Sequence, residues 1–428
     1  MLLRYHLNYK IILIYIALLI LLLLYALQLF SPLRLNTDSL VFLSLAESAA
    51  EGKGFLYHGK VTHYPNGYPA LVAWLDYWGW ANPGSLVAIN LLFLGLGTIM
   101  AFGLFYTAYH FDYPTAICLI CLSLLSYILI KHVTLPISDP VFYGLSMSCL
   151  LILARMEDSQ KPLSLIYPIL AILTAALAIE VRTIGVALIP AFLLVIMKKA
   201  QSKQIHYGIA IILSLLLLLS SLSLSKTEYI PEAAETFGLL GGFLAGILQV
   251  MMSRLSELGE LVINIPLGKM PYLVSYLALP IGLICLSILI VGIVKKKPIN
   301  AIQIYLITYI LLLLAWPYRD ARFWMPVMPL LIGTGYQAIQ RQNRSKVLSY
   351  AVMIYVGYFS VTGLLAIGYS TRISFAGPNF SEVYGDGNLR ETYRYLLGNA
   401  KAGESAAINQ EAVRLFERFG GFNSKSRR

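Results

Sequence analysis

Long apolar runs that carry almost no charge constrain this chain more than any other feature of its sequence. The clearest of them extends from residue 11 to residue 30. A helix of about 20 apolar residues crosses the hydrocarbon core of a bilayer and satisfies its own backbone hydrogen bonds there. Because such runs recur along the chain and only 12% of its residues are charged, the sequence predicts an all-α polytopic membrane protein.

The apolar runs predict about 11 transmembrane helices. Several runs are short, so tilted or partly broken helices are expected among them. The first run is too long for the apolar part of a signal peptide and no small-residue cleavage site follows it, so we expect it to remain as an anchor. The predicted spans are residues 11–30, 86–108, 115–130, 140–154, 164–180, 184–197, 207–224, 273–294, 301–316, 325–340 and 347–369.

Basic residues in the short loops set the predicted orientation. The formal net charge is +11, but many of the Lys and Arg residues lie between apolar runs and form no basic face, so nucleic acid is not a predicted partner. The positive-inside rule places Lys- and Arg-rich loops in the cytoplasm. If the moderately apolar stretch 236–252 crossed the membrane, the basic loop 295–297 would lie outside. We therefore interpret this stretch as interfacial or re-entrant. The basic loops that the rule places inside are residues 155–161, 198–203, 295–297 and 341–346.

The remaining polar segments fall on the outer side. We predict a transmembrane domain over residues 1–370 and a small outer tail over residues 371–428. In the long first outer loop, residues 31–85, Asp38–Glu51 has the pattern of an amphipathic helix that lies along the membrane surface. The tail is too small to bury a large core, so we expect it to pack on the outer loops. Its helical patterns cover residues 389–397 and 410–419.

Neither a metal site nor a cofactor is predicted. Cys118 and Cys121 have C-x-x-C spacing, but no second pair of ligands and no nearby His completes a zinc site. Cys149 and Cys285 also lie in apolar runs. All four are therefore expected to be small buried residues.

Asp38 is the strongest candidate for a catalytic residue. It lies just beyond the first predicted span, where a carboxylate can meet a hydroxyl acceptor and a membrane-held donor together. Its chemical role there would be that of a general base. The simpler interpretation is that Asp38 caps the helix that begins at this point.

Five segments carry motifs that occur in a fixed order. They are the stretch from Asp38 to Phe55, the P-x-x-Y-P-like residues 62–74, the loop 135–145, the Arg-containing residues 180–190, and the Arg- and Pro-rich residues 318–331. Together they resemble the GT-C glycosyltransferases of the protein O-mannosyltransferase and aminoarabinose-transferase type. The resemblance covers most of the chain and implies a GT-C architecture.

The chain departs from this family at two positions. Ser39 follows Asp38, where the family often has a second acidic residue, and Asp139 stands where Glu is commoner. The resemblance still implies that Asp38 is the catalytic residue. It leaves the identity of the sugar and of the acceptor open.

The resemblance also implies a basic pocket for the phosphate of a lipid-linked donor. Arg322, Arg319 and Arg182 are the candidates, because the guanidinium fork matches phosphate oxygens. Lys131 is a further candidate for the same pocket. The simpler interpretation of each Arg is a snorkelling side chain, or an ion-pair partner for a carboxylate such as Asp320.

Four residues are candidates for contacts with the sugar or the acceptor. Tyr64, Tyr68 and His63 lie in the first outer loop, and rings of this kind stack on sugars, although an interfacial aromatic belt has the same composition. Asp139 precedes a predicted span. It either accepts hydrogen bonds from substrate or caps its helix.

The resemblance thus implies an inverting, metal-independent glycosyltransferase, and the apolar runs place it in the cell membrane. Its donor would be a polyprenyl-phosphate-linked sugar, its acceptor a hydroxyl group of a protein, lipid or polysaccharide, and its active site would be extracytoplasmic. The alternatives are a transporter or flippase of lipid-linked glycans, and a non-catalytic GT-C-like binding protein. Transport is less favoured because few charged residues lie within the predicted spans.

Overall fold

The structure is a computed structural model in which nearly every regular element is a helix. It describes residues 9–62, 64–159, 166–200, 235, 242–295, 298–342, 346–383, 389–397 and 408–420. Within these residues, one isolated bridge between Tyr57 and Lys60 is the only β pairing. The helical membrane fold predicted from the apolar runs is confirmed.

The α-helices are numbered in chain order. The first nine are α1 (Tyr9–Ala26), α2 (Thr37–Ala50), α3 (Gly67–Tyr77), α4 (Pro83–Thr107), α5 (Tyr113–Leu124), α6 (Tyr127–His132), α7 (Asp139–Asp158), α8 (Ile166–Val181) and α9 (Leu188–Ala200). The remaining nine in the described part of the chain are α10 (Phe243–Ile263), α11 (Tyr272–Ser275), α12 (Ala278–Val294), α13 (Ala301–Leu314), α14 (Met328–Gln342), α15 (Lys346–Ser374), α16 (Phe380–Val383), α17 (Arg390–Leu396) and α18 (Gln410–Phe419). Short 3₁₀ helices occupy Leu27–Phe30, Thr183–Ala187, Leu267–Lys269, Ala321–Val327 and Gly377–Asn379.

Five helical stretches in the described residues are long and apolar enough to cross a membrane. Shorter apolar helices accompany them, as the short predicted spans led us to expect. The predicted span 207–224 lies outside the described residues. The five long stretches are Ile12–Phe30, Pro83–Thr107, Asp139–Asp158, Tyr272–Val294 and Lys346–Ser374.

The predicted span 115–130 is interrupted in the structure, and a polar side chain forms hydrogen bonds with the backbone groups at the interruption. Helix α5 ends at Leu124 and α6 begins at Tyr127. The Asn264 side chain donates to the carbonyl of Leu125 over 3.1 Å and accepts from the backbone N–H of Tyr127 over 2.8 Å. A broken helix is tolerated at membrane depth when its freed backbone groups find such partners.

Residues 243–252 of the stretch 236–252, which we interpreted as interfacial or re-entrant, form the start of α10, and residues 236–241 lie outside the described residues. Helix α10 packs tightly and antiparallel against α12. A Cβ atom added at Gly259 would lie 1.8 Å from the carbonyl oxygen of Ala278, and one added at Gly282 would lie 1.8 Å from that of Leu255. Small residues let helix backbones approach this closely. Helix α10 also contacts the 3₁₀ helix Ala321–Val327, in the segment that follows α13.

The first loop forms two helices, and α2 matches the predicted helix to within one residue at each end. Its N-cap is Asn36, whose side chain accepts a hydrogen bond from the backbone N–H of Ser39 over 2.9 Å. Every residue from Ser39 to Glu47 is buried, because α3 and α18 cover the helix. Asp38, the second residue of α2, is therefore free of the capping role.

The C-terminal helix α18 is tied to the first loop by ion pairs. Arg418 contacts Asp76 at 2.7 Å, Glu51 at 2.8 Å and Glu47 at 3.2 Å. Arg414 contacts Glu47 at 3.0 Å. The tail thus packs on the loop that carries Asp38, as its small size led us to expect.

The turn between α1 and α2 is anchored by a buried arginine. Arg34 donates to the carbonyl of Ser370 over 2.9 Å and to the hydroxyl of Ser374 over 2.8 Å. The backbone N–H of Leu35 donates to the Tyr393 hydroxyl over 2.8 Å. These bonds join the turn to α15 and α17, and so fix where α2 begins.

Candidate active site

Five chain segments meet at one end of the helical bundle and enclose a cavity of about 170 Å³. They are the start of α2, the residues before α3, the residue before α7, the end of α8 with the turn after it, and the segment between α13 and α14. The lining residues are Asp38, Phe42, Tyr64, Pro65, Ser138, Val181, Arg182, Thr183, Ile184, Trp316, Tyr318, Arg322 and Phe323.

Asp38 and Arg322 form an ion pair across this cavity. An Arg322 Nη2 atom donates to Asp38 Oδ2, although the two residues are 284 positions apart in the chain. The Asp38 side chain is 22% exposed and that of Arg322 only 8%. The structure thus brings together the carboxylate and the guanidinium that the sequence predicted for catalysis and phosphate binding.

Asp320 holds Arg322 from its other side. Its Oδ2 atom lies 3.2 Å from Arg322 Nε, and its Oδ1 atom accepts the backbone N–H of Arg322 over 2.9 Å. Asp320 is thereby the side-chain cap of the 3₁₀ helix that precedes α14. Arg322 is therefore an ion-pair partner of Asp320, as the simpler interpretation held, and it pairs with Asp38 as well.

Asp139 and Arg182 form a second ion pair, between the first residue of α7 and the residue that follows α8. The Asp139 side chain is fully buried, and Arg182 lines the cavity. The N-cap position of α7 is Ser138, so Asp139 lies in the first turn. A carboxylate at a helix N-terminus is stabilised by the backbone N–H groups and by the helix dipole.

Three arginines surround the ring of Phe323. The guanidinium carbon lies 4.9 Å from the ring centroid for Arg182, 5.0 Å for Arg254 and 5.3 Å for Arg322. Cations at this distance from an aromatic face are attracted by its quadrupole. Arg254 was not among the predicted site residues. Its sequence signal is an Arg three positions before Glu257, in a helix whose only other charged residue is Glu260.

The carboxylates around Arg322 keep it charged despite its burial. Burial alone lowers the pKa of Arg322, but Asp139, Asp38 and Asp320 outweigh that effect and raise the pKa above its ordinary value. For Asp320, burial raises the pKa, whereas Arg322 and His132 bring it below its ordinary value. Both groups are therefore ionised at neutral pH.

The three aromatic candidates from the first loop are placed differently. Tyr64 lines the cavity and packs edge-on against Phe42, with ring centroids 5.6 Å apart. Tyr68 is fully buried behind Phe42, also at 5.6 Å, and is not part of the lining. His63 lies outside the described residues.

Arg319 and Lys131 do not line the cavity of Asp38. Arg319 is exposed and lines a second cavity of about 440 Å³ on the α10 side, although it is only three residues from Arg322. Lys131 is exposed, and its charge contributes to the lowered pKa of Asp320. The predicted basic cluster is thus split between two sides of the segment that precedes α14.

The lining also includes hydroxyl and aromatic groups that the sequence analysis did not single out. Ser138 and Thr183 flank the ion pair of Asp139 and Arg182, and Thr183 Oγ1 is buried without a hydrogen-bond partner among the described residues. Trp316 and Tyr318 also line the cavity and precede Arg322 in the chain. Thr183 and Tyr318 fall within the motifs from which the resemblance was drawn, but no spacing rule distinguishes them there.

No protein-family model and no curated protein matches this chain, but solved structures do. ArnT from Cupriavidus metallidurans bound to undecaprenyl phosphate aligns with 94% of this chain and 72% of its own, at a TM-score of 0.50 and 12% identity. Apo ArnT aligns with 90% of this chain and 68% of its own, at a TM-score of 0.48 and 14% identity. ArnT is a GT-C glycosyltransferase, an aminoarabinose transferase. At this level of identity the similarity establishes the architecture alone, and this chain has the GT-C fold.

Proposed function

We propose that this protein is an inverting glycosyltransferase that moves a sugar from a polyprenyl-phosphate carrier to a hydroxyl acceptor. The observation that carries the proposal is the ion pair between Asp38 and Arg322 in a cavity at one end of the bundle. A general base and a phosphate-binding guanidinium are the two groups that this transfer requires. Arg182 lines the same cavity and forms a second ion pair with the buried Asp139.

In the proposed reaction, Asp38 accepts the proton of the acceptor hydroxyl. The acceptor oxygen then attacks the anomeric carbon, and the bond between that carbon and the phosphate oxygen breaks. The electron pair of that bond leaves with the lipid phosphate. Arg322 and Arg182 stabilise the charge that develops on the phosphate, as charge-assisted hydrogen bonds do in a water-poor site.

Before substrate binds, Asp38 and Arg322 form an ion pair with each other. A phosphate diester that binds Arg322 competes with Asp38 for the same guanidinium. The donor phosphate would take the place of Asp38 on the Arg322 guanidinium. The Asp38 carboxylate would then be available to accept a hydrogen bond from the acceptor hydroxyl.

The similarity to ArnT supports a polyprenyl carrier. ArnT has been solved with undecaprenyl phosphate bound, and this chain shares its fold. The chain also contains the apolar helices that a membrane-held donor requires around its site. We extend the proposal to sidedness: the basic loops predict that the cavity opens to the extracytoplasmic face, with residues 371–428 as an outer tail.

The test is transfer by purified protein from a radiolabelled polyprenyl-phosphate sugar. Asp38→Asn keeps the size of the side chain and removes its basicity, so transfer and donor hydrolysis should both be lost. Binding of undecaprenyl phosphate should remain. The matched control is Asp112→Asn at an exposed loop position, which should leave transfer unchanged.

Two results would contradict the proposal. The first is undiminished transfer by Asp38→Asn, since it would show that another group removes the proton. The second is movement of the labelled lipid between leaflets without cleavage of its glycosidic bond, which would favour a flippase. Comparison of glycans by mass between a deletion strain and its parent would then identify the sugar and the acceptor.

A further inference from the structure

Arg254 and Glu257 are buried charges that the proposed reaction does not use. Both lie on α10, one helical turn apart, and Arg254 Nη1 donates to Glu257 Oε2 over 2.6 Å. Arg254 is 0% exposed and Glu257 is 5% exposed. Neither residue lines the cavity that contains Asp38 and Arg322.

Arg254 binds the segment that leads to Arg322. Its guanidinium donates to the backbone carbonyls of Trp316 and Asp320, each over 3.3 Å, and to the carbonyl of Tyr318. These carbonyls lie between the end of α13 and the start of the 3₁₀ helix. One side chain thus supplies hydrogen bonds to three backbone groups of an irregular segment.

Glu257 holds the same segment on the far side of Arg322. Its Oε2 atom accepts a hydrogen bond from the indole N–H of Trp324 over 3.3 Å. Trp324 is 1% exposed and lies two residues after Arg322. Arg254 also packs on Phe323, the ring that Arg322 faces from another side. The pair therefore contacts the chain immediately before and immediately after Arg322.

We propose that Arg254 and Glu257 are positioning residues that set the place of the Arg322 guanidinium relative to Asp38. The inference rests on the proposed function, because it concerns the same ion pair. A buried ion pair contributes little net stability against well-packed apolar residues. The hydrogen bonds of Arg254 and Glu257 instead indicate that the pair holds the backbone on both sides of Arg322.

The sharpest variant is Arg254→Lys, which keeps the positive charge beside Glu257. A single ammonium group cannot reproduce the planar fork that reaches three carbonyls and a carboxylate. A misplacement of about 1 Å at a catalytic constellation costs on the order of 100-fold in rate. We therefore expect kcat for sugar transfer to fall about 100-fold, with little change in the pH profile, since Arg254 exchanges no proton with substrate.

Two further variants separate positioning from folding. Trp324→Phe removes the indole donor to Glu257 and leaves the carbonyl bonds of Arg254 in place, so it should lower kcat less than Arg254→Lys does. Arg341→Lys, at an exposed position near the end of α14, is the matched control and should leave kcat unchanged. Thermal unfolding of each purified variant shows how much folded protein the assay contains.

Hydrogen exchange of the full-length protein tests the positioning directly. The backbone N–H of Arg322 bonds to Asp320 Oδ1 over 2.9 Å and that of Phe323 bonds to the carbonyl of Asp320 over 3.2 Å. In Arg254→Lys, both amides should exchange faster than in the wild type, whereas amides of α2 should not change. Unchanged exchange, or a kcat loss no larger than the loss of folded protein, would overturn the inference.

These readouts distinguish the inference from the proposed function. If the wild type neither binds undecaprenyl phosphate nor transfers sugar, the proposed function fails, while the exchange result still decides whether Arg254 positions the segment. If the wild type is active and Arg254→Lys is equally active, only the positioning role fails.

Discussion

Removal of the guanidinium of Arg322 should raise the Kd for the lipid phosphate and lower the free energy of unfolding, and the two effects can be estimated separately. In Arg322→Met the cavity keeps Asp38 and Asp320 without their shared cation. Charge-assisted hydrogen bonds contribute about 1.5–3 kcal/mol, so the Kd for undecaprenyl phosphate should rise about 10- to 100-fold.

The expected loss of stability follows from the exposure of the partners. Breaking a fully buried ion pair costs about 3–5 kcal/mol. The Asp38 side chain is 22% exposed and that of Asp320 is 40% exposed, so solvent screens both remaining charges. We therefore expect a destabilisation of about 2 kcal/mol, which thermal unfolding in detergent measures.

Arg319→Met is the matched control for this experiment. It removes the same chemical group three residues earlier, from the second cavity. The Kd for undecaprenyl phosphate, measured by titration of both variants, should change only in Arg322→Met. An equal loss in the two variants would refute the assignment of the phosphate to the Asp38 cavity, and no loss in either would refute a role for Arg322 in binding.

Further predictions concern the tail, pH, the helix break and the membrane surface. Arg418→Ala removes a cation with three carboxylate partners on the first loop, so thermal unfolding should show a loss of about 1 kcal/mol. The pKa of Glu51 is lowered by its hydrogen bonds with Lys53 and Arg418, so its contribution to stability is present above about pH 4.3 and is lost as the pH falls through the lower folded-state pKa; unfolding measured between about pH 5 and pH 3 checks the sign. Asn264→Ala leaves buried backbone groups unpaired at the break between α5 and α6 and should cost about 1–3 kcal/mol in the same unfolding assay. Brominated lipids should quench a set of exposed tryptophans beside the start of α4, since such rings favour the bilayer interface. These tryptophans are Trp74, Trp78 and Trp80.

The fold was predictable because its signals are local. A run of apolar residues specifies a membrane helix whatever its neighbours are, and the helix that carries Asp38 follows from polar and apolar spacing with glycines at its end. Asn36 at the cap position explains why α2 begins where it does. The break after Leu124 was not predictable, because its repair depends on Asn264, which is distant in sequence.

The candidate site was predictable only in part, for a similar reason. Residue type and proximity to a span predicted Asp38 as a site residue, and the resemblance to the GT-C family pointed to Arg322, Arg182 and Asp139. The structure brings all four together at one end of the bundle. Their pairing could not be read from spacing, since each pair joins distant helices. Arg319 shows the limit most clearly: it shares its motif with Arg322, but the tight 3₁₀ turn at Ala321–Val327 directs the two side chains to different cavities.

Two separate supports converge on the contact between Asp38 and Arg322. The carboxylate is placed by the turn that Arg34 ties to α15 and by a first loop that α18 covers. The guanidinium of Arg322 is placed by Arg254 of α10, which donates hydrogen bonds to backbone carbonyls of the segment that leads to Arg322. Because these supports share no side chain, the distance between the proposed base and the proposed phosphate-binding group depends on the packing of several helices. In the proposed reaction, a lipid-linked donor that separates Asp38 from Arg322 acts against this held geometry. The proposal therefore predicts that the buried Arg34 and Arg254 affect the reaction although neither lines the cavity.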